Sequence, residues 1–547
     1  MPVNRRPRQK PTRQGLAGWA LAGVFLTPAA AHAQDRFVLP PVDTATGTAA
    51  AQLVTLQSIV LRGNTVVSSD ALQAVIAPYL NRPTRPDELE DLRQQLTRAY
   101  TDRGYVNSGV LWQGDGTSGV LAGQVVEGRL SAIRLHGLQR LDERHLTRRL
   151  ANAADGPFNI EVLRERFQLA LGDPLIERMN ARLMPGELAG EAILDVDVAL
   201  ARPWQFSVFA NNYRAPSIGA NAVGASASFR NLTGYGDLLE ASYQNAPGSA
   251  ARGRASLAWG MPLGFAGTRF SLALEHGDSA VVEQPAAALD INGQLSSADV
   301  GLSQTLVESL AHKLSVGVNR VGRTNRTLLM GLPFSFTPNE PEGITRENLW
   351  RVWQDYSYRT PTQVVALRST FTVGRNNLVD VPGLPPTDSP AKSFHLWTGQ
   401  AQWGRQIMDN GAQLVVRGTL QHTSDRLLAL DGLALGGVNT VRGYRENTLV
   451  RDAGAIVNLE FDYPLERNAT TGAQINLIPF VDYGWARNVG GPTSTLASAG
   501  LAARVLWMRF YVDLAIAKRL RSSDAPAASS TSRLQDAGIH LQVACRF

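Results

Sequence analysis

The side chains that usually carry covalent or metal chemistry occur in this chain without the spacing such chemistry needs. There is no Gly-x-Ser-x-Gly elbow, no His-Glu-x-x-His pair and no Gly-Lys-Ser/Thr phosphate loop, so neither hydrolysis nor ATP use is indicated and no catalytic residue is expected. The eight histidines form no ligand cluster and read mostly as ordinary polar surface residues. Cys545 is the single cysteine; it excludes an intramolecular disulfide and a cysteine-based metal centre. No cofactor and no metal are expected. The chemistry that remains is that of charged side chains, and the elements that carry them decide what it is for.

The first residues hold Arg5, Arg6, Arg8, Lys10 and Arg13, then an apolar run from Gly15 to Leu26, then small residues ending Ala31-His32-Ala33. That order is a secretory signal peptide, residues 1–33, cut before Gln34. The apolar run is too short for a spanning helix. Without the five basic residues of the leader the formal charge falls from +6 to +1 (6 − 5), so a nucleic-acid partner is not supported. No later apolar run has the length of a membrane helix, which leaves a soluble exported protein or a barrel whose strands alternate.

From about residue 203 the chain alternates apolar and polar residues in segments of roughly ten, separated by Gly, Asn, Asp and Pro. Phe270, Leu272 and Leu274 alternate with Arg269, Ser271 and Glu275; Ala455, Val457, Leu459, Phe461 and Tyr463 with Asn458, Glu460 and Asp462; Phe510, Val512, Leu514 and Ile516 with Arg509, Asp513 and Lys518. The last segment, Ile539, Leu541, Val543, Cys545 and Phe547 against His540, Gln542, Ala544 and Arg546, ends on an aromatic, and Cys545 falls on its lipid side. A period of two gives one face to lipid and the other to a wet lumen. At roughly 20 to 22 residues per strand and connection, residues 202–547 hold about 16 antiparallel strands, an all-β transmembrane barrel. Gly331 to Thr360, with Pro333, Pro338 and Pro341, reads as one long connection on the cell exterior.

Ahead of the barrel the chain repeats itself. Ile59 to Asn64 opens a block with helical stripes at Leu72 and Val75, then at Leu89, Leu92, Leu96 and Tyr100, and strand-like runs closing on Val125-Val126-Glu127-Gly128. Ile133 to Gly137 restarts the pattern, with Leu146 and Leu150, then Ile160, Leu163, Phe167 and Leu171, and a closing strand from Ala192 to Leu200. Each block reads β-α-α-β-β. The segment 34–52, with Pro40-Pro41 and Thr44 to Thr48, makes a poor helix and reads as a linker rather than a plug.

Two such α+β modules before a barrel, 53–128 and 129–201, resemble the polypeptide-transport-associated (POTRA) domains of the BamA-like outer-membrane superfamily. Leu171-Gly172-Asp173-Pro174, Asn180, Leu183 and Pro185-Gly186 resemble the matching stretch of haemolysin- and haemagglutinin-type two-partner secretion transporters, and Asn211 to Asp237, through Asn212, Arg214 and Asn231-Leu232, resembles their first barrel strands. Val441-Arg442-Gly443-Tyr444 matches the family's V-R-G-Y/F motif, and Phe480-Val481-Asp482-Tyr483-Gly484 its F-x-D-x-G strand motif. The resemblance implies that the first motif lies at the tip of a long loop folded into the lumen, with Arg442 paired to Asp482. The chemistry agrees: arginine cannot shed its charge at any working pH, and a carboxylate on a strand can accept two of its donors. Gly443 would let the tip turn and Tyr444 would pack on the wall.

The resemblance implies an outer-membrane transporter with periplasmic N-terminal domains, embedded in outer-membrane lipid and placed there by the barrel assembly machinery. It would pass a large exported protein of haemolysin, adhesin or contact-dependent toxin type unfolded through its lumen. An insertase or assembly factor of the same superfamily is one alternative, though such proteins usually carry more modules. A diffusion porin, which needs no modules, or a barrel enzyme, which needs a Ser/His constellation, is the other.

Overall fold

The computed structural model describes residues 53–151, 156–247, 253–264, 267–379, 389–468, 471–522 and 533–547. The expected signal peptide and the 34–52 linker, with its poor helix, lie outside the described residues. The chain forms two compact units, 1–201 and 202–547.

Two modules of one order make up the first unit. The first runs β1 (Ser58–Arg62), α1 (Ser69–Ile76), α2 (Pro86–Thr101), β2 (Gly109–Gln113) and β3 (Val120–Val126); the second runs β4 (Arg129–His136), α3 (Arg144–Ala151), α4 (Ile160–Leu171), β5 (Ile176–Pro185) and β6 (Glu191–Leu200). In each, the last strand lies in the centre, parallel to the first and antiparallel to the other, giving orders β1-β3-β2 and β4-β6-β5. The helices cover one face. Leu72 and Ile76 of α1 meet Leu92, Leu96 and Tyr100 of α2 in the first core, and Leu146 and Leu150 of α3 meet Leu163 and Ala170 of α4 in the second. The α4 stripe ends differently from the sequence reading, because Leu171 is 40 % exposed and Ala170 is buried. At 100° per residue, Ala170 stays in line with Leu163 while Leu171 swings off the face.

Asp173 anchors the second module. His145 Nε2 lies 2.9 Å from its Oδ2, Arg149 Nη1 donates to the same oxygen at 2.5 Å, and the Leu175 amide donates to Oδ1 at 2.9 Å. Burial alone would raise this carboxyl, but His145, Arg149 and the Leu175 amide outweigh it and hold the group well below the usual carboxylate range. A depressed folded-state value means the stabilisation is complete above the unfolded value of about 3.9 and disappears as pH falls below it. We therefore expect thermal unfolding of this unit to drop steeply on acidification below about pH 4, and Asp173→Asn to be less stable at pH 7 and to flatten that dependence, as followed by circular dichroism.

The second unit is a closed antiparallel barrel of sixteen strands. In order they are β7 (Trp204–Asn211), β8 (Ala222–Arg230), β9 (Leu238–Asn245), β10 (Arg254–Pro262), β11 (Thr268–Ala280) and β12 (Ile291–Glu308). Then come β13 (His312–Leu329), β14 (Ile344–Arg359), β15 (Gln363–Asn376), β16 (Ser393–Gln406) and β17 (Gln413–His422). The last five are β18 (Ala453–Asn468), β19 (Ala473–Arg487), β20 (Thr493–Trp507), β21 (Phe510–Arg519) and β22 (Ile539–Arg546). One expectation is corrected: Gly331 to Thr360 is not one connection, since β14 occupies most of it and only 330–343 joins β13 to β14. Its prolines, Pro333, Pro338 and Pro341, all precede β14, so none removes an N–H from that strand's own ladder.

Alternation is clearest in β18 and β19. Val457, Leu459, Val481 and Tyr483 are exposed on the outside, while Asn458, Glu460, Asp462, Phe480 and Asp482 are buried inside. Closure joins β22 to β7, from Gln542 opposite Asn211 to Arg546 opposite Ser207. Among the described residues this is the shortest ladder between any two neighbouring barrel strands.

Candidate functional site

Between β17 and β18 the chain makes a long excursion, 423–452, stiffened by a short ladder of Leu433–Leu435 with Leu449–Arg451. Its apolar residues Leu433, Leu435, Val441, Tyr444 and Leu449 form a buried cluster with Ile456, Ala486 and Leu496 on the inner faces of β18, β19 and β20. The loop therefore packs against the inner wall, driven by ordinary apolar burial.

At its tip Arg442 is almost fully enclosed, with 7 % of its side chain exposed against none for Asp482. Arg442 Nε donates to Asp482 Oδ2 at 2.7 Å, Nη2 to Oδ1 at 2.7 Å, and the Arg442 amide to Oδ2 at 3.0 Å. Its third nitrogen, Nη1, lies 2.7 Å from Glu460 Oε1, which also pairs with Arg417. The guanidinium stacks 3.5 Å from the centroid of the Phe480 ring, a cation–π contact. Asn458 Nδ2 donates to Asp482 Oδ1 at 2.8 Å and to the Thr440 carbonyl at 2.5 Å. Both charges thus have full sets of partners, as buried charges must.

The neighbouring motif residues meet the wall directly. Gly443 has φ +90°, and a Cβ there would stand 2.9 Å from Ala517 Cβ; its amide donates to His540 Nε2 at 3.2 Å, and Arg519 Nε donates to its carbonyl at 2.6 Å. Tyr444 is buried, its hydroxyl donating to the Arg521 carbonyl at 2.6 Å. Val441 is fully buried, and a Cβ on Gly484 would come within 2.9 Å of Leu435 and 3.1 Å of Val441, so the strand must be bare where the loop lies on it. Gly443→Val combines a disfavoured φ with a clash, costing roughly 1–3 kcal/mol. We expect it to lift the tip, read as faster protease cleavage between 436 and 448.

A second anchor lies beyond the motif, on the four-residue helix α5 (Arg533–Asp536). Arg445 clasps Asp536 with Nε at 2.5 Å and Nη2 at 3.0 Å, and reaches Glu283 with Nη1 at 2.7 Å. Gln535 is fully buried: it accepts from the Glu446 amide at 3.0 Å and donates to the carbonyls of Asn212 at 2.5 Å and Arg214 at 2.8 Å. Asn212 prolongs the β7–β22 ladder, its side chain donating to the Ile539 carbonyl at 2.9 Å and accepting from the Leu541 amide at 2.8 Å. Gln535 therefore joins the loop to the barrel seam, beside the contact of the Gly443 amide with His540 on β22.

All seven motif residues named from the sequence, Val441, Arg442, Gly443, Tyr444, Phe480, Asp482 and Gly484, come together at one place on the wall. Glu460 and Asn458 belong to the same place and were legible only as inward-facing strand residues. Arg417, Gln535 and Asp536 were not singled out. Five of the seven described histidines are exposed, as the sequence reading has it, and the exceptions are His540 and, in the second module, His145, both buried. His540 is brought to Gly443 by the closing strand.

A closed barrel with an apolar exterior, a charged interior and a loop pinned to its inner wall defines an integral outer-membrane protein of the conduit type. Residues 190–505, more than half the chain, match the family of haemolysin secretion/activation proteins ShlB/FhaC/HecB, and residues 54–128 match the ShlB-type POTRA domain. The chain is 23% identical over 465 residues to the outer membrane transporter CdiB of Escherichia coli, covering 82% of this chain and 75% of that protein. Over 190 residues, 34% of each chain, it is 24% identical to the heme/hemopexin transporter protein HuxB of Haemophilus influenzae. The solved structure of CdiB from Escherichia coli superposes with a TM-score of 0.67 at 21% identity, over 93% of both chains. The chain belongs to the ShlB/FhaC/HecB family of haemolysin secretion/activation proteins. It is an outer-membrane transporter of the two-partner secretion type, with its N-terminal POTRA domains in the periplasm and an exported protein as its partner.

Proposed function

We propose that the two modules, 53–128 and 129–201, capture the partner in the periplasm and that barrel 202–547 passes it outward unfolded, after a leader (1–33) has been removed and with 34–52 as linker. The partner is a large exoprotein of haemolysin, adhesin or contact-dependent toxin type, and the chain performs no catalysis on it. Capture uses the outer strands of the module sheets, β1 and β2 in one and β4 and β5 in the other, whose outer edges can each accept an extended segment. The barrel assembly machinery inserts the chain into outer-membrane lipid.

The observation that carries this reading is the burial of Arg442 against Asp482 and Glu460. A diffusion porin needs an open lumen and has no use for a loop held there by several charge-assisted bonds. In our reading, Val441 to Tyr444 with Phe480, Asp482 and Gly484 brace the wall and narrow the passage. The test is release into the medium of the large exported protein encoded beside this chain when the two are co-expressed, with barrel folding checked by heat-shifted gel mobility. Release by a folded barrel supports the reading; a folded barrel that releases nothing while other barrels assemble faster in its presence would make it an insertase.

A further inference from the structure

Strands β12 and β13 are the longest in the barrel, eighteen residues each, and with β14 they stand well above the apolar belt. Their outward residues show where the belt ends. Leu302, Val318 and Val352 share one exposed apolar rung; on the next, Arg320 lies over the Trp350 ring at 5.1 Å beside Val300. Above that the outward residues are Ala298, Gly322 and Asn348, then Ser296, Thr324 and Arg346. From Arg320 to Leu329 is nine residues, about 20 Å of height at the tilt of barrel strands. Strand β7 leaves the periplasmic modules and sixteen strands alternate in direction, so the 330–343 hairpin stands on the exterior.

That hairpin displays apolar residues where no lipid reaches. Met330 is 66 % exposed, Leu332 70 %, Phe334 42 % and Phe336 52 %. They are held in order: Leu332 and Pro333 pair with Leu329 and Leu328, the Phe334 amide donates to the Thr327 carbonyl at 3.0 Å, and Ser335 Oγ donates to the Glu340 carbonyl at 2.7 Å while accepting from the Gly343 amide at 2.9 Å. Phe334 and Phe336 pack edge to face, 4.7 Å between ring centres. A built hairpin that presents four large apolar side chains to water marks an interaction surface.

We propose that this hairpin is an exit-side holding site for apolar segments of the transported polypeptide as it emerges unfolded. The inference rests on the transport function. The strands that carry the hairpin also wall the lumen, so the site is continuous with the passage and stands at its rim. An unfolded chain offers apolar side chains in every stretch, which a folded surface protein or a polysaccharide does not. Pro333 has no N–H to offer to an added strand, so recognition runs through side chains and is tolerant of sequence. Holding each emerged segment there disfavours its slipping back.

The test uses the full-length chain in lipid nanodiscs, with a photo-crosslinking phenylalanine analogue at position 336 or, as control, at Thr324 on the polar flank. The probe is reduced, carboxymethylated α-lactalbumin, which stays unfolded, compared with the native protein. We expect cross-linking from position 336 to exceed that from position 324 at least tenfold, to need the unfolded probe, and to fall at least fivefold in Leu332→Ser/Phe334→Ser with heat-shifted mobility unchanged. Equal cross-linking from both positions, equal cross-linking of native protein, or cross-links only to lipid or to a second copy of the chain would overturn the proposal. Because cross-linking is read on the purified chain and needs no transport, failure here leaves secretion of the partner intact, whereas failure of the transport reading abolishes secretion.

Discussion

Arg442→Ala lowers the temperature at which the barrel loses its compact electrophoretic form and abolishes release of the partner. The substitution leaves Asp482, with no exposed surface, holding only the Arg442 amide and Asn458 out of four donors. Glu460 loses one of its two arginines and keeps Arg417. Breaking a buried pair by removing one partner costs on the order of 3–5 kcal/mol, most of it the uncompensated charge that stays behind. If that is the origin of the loss, Arg442→Ala/Asp482→Asn, which removes the orphan charge, recovers a substantial part of the stability while release stays low. A double variant no more stable than the single one would place the cost in lost packing against Phe480 instead.

The second large effect is expected at Gln535. Gln535→Ala leaves the Glu446 amide and the carbonyls of Asn212 and Arg214 without their partner, and each buried group left unsatisfied costs about 1–3 kcal/mol. The outer half of the loop and the upper end of the seam should loosen together, seen as a higher resting conductance in planar bilayers and earlier loss of the compact gel form. The native Cys545 offers a direct check, because Val208 stands opposite it across the seam. Facing residues of antiparallel strands are about 4.5–5.5 Å apart at Cα, within disulfide reach. Val208→Cys under oxidising conditions should restore the compact form to Gln535→Ala, and reductant should remove the rescue. Persistent instability with the disulfide formed would mean that Gln535 acts on the loop alone.

Much of this architecture was visible in the sequence because the forces behind it are local and periodic. Val457, Leu459, Val481 and Tyr483 face outward and Asn458, Glu460 and Asp482 inward for the reason that strand side chains alternate. The helical stripes failed only at Leu171, where the choice between two adjacent apolar residues depends on the angle at which the helix meets its sheet. Gly331 to Thr360 was misread because its prolines were taken to govern the whole stretch, whereas Trp350 and Val352 already lie on a strand. The motif residues were legible through family resemblance, since nothing local tells Arg442 that its partner is forty residues away. Gln535 and Asp536 sit on one turn of helix, too short to show a period, and their partners lie up to 323 residues distant. His540 reads as an ordinary polar strand residue until barrel closure sets it against Gly443.

The seam also bears on how such a chain comes to be made. Cys545 and Val208 are neighbours in the finished barrel but 337 residues apart along the chain (545 − 208), so during barrel assembly β7 keeps one open edge until β22 closes on it. Contacts of such long range form late and slowly, since the chain entropy of closing the loop is lost before any ladder bond repays it. An unpaired edge in that interval is an invitation to pair with the wrong strand. The barrel is thus most open to mispairing in the interval before β22 closes on β7.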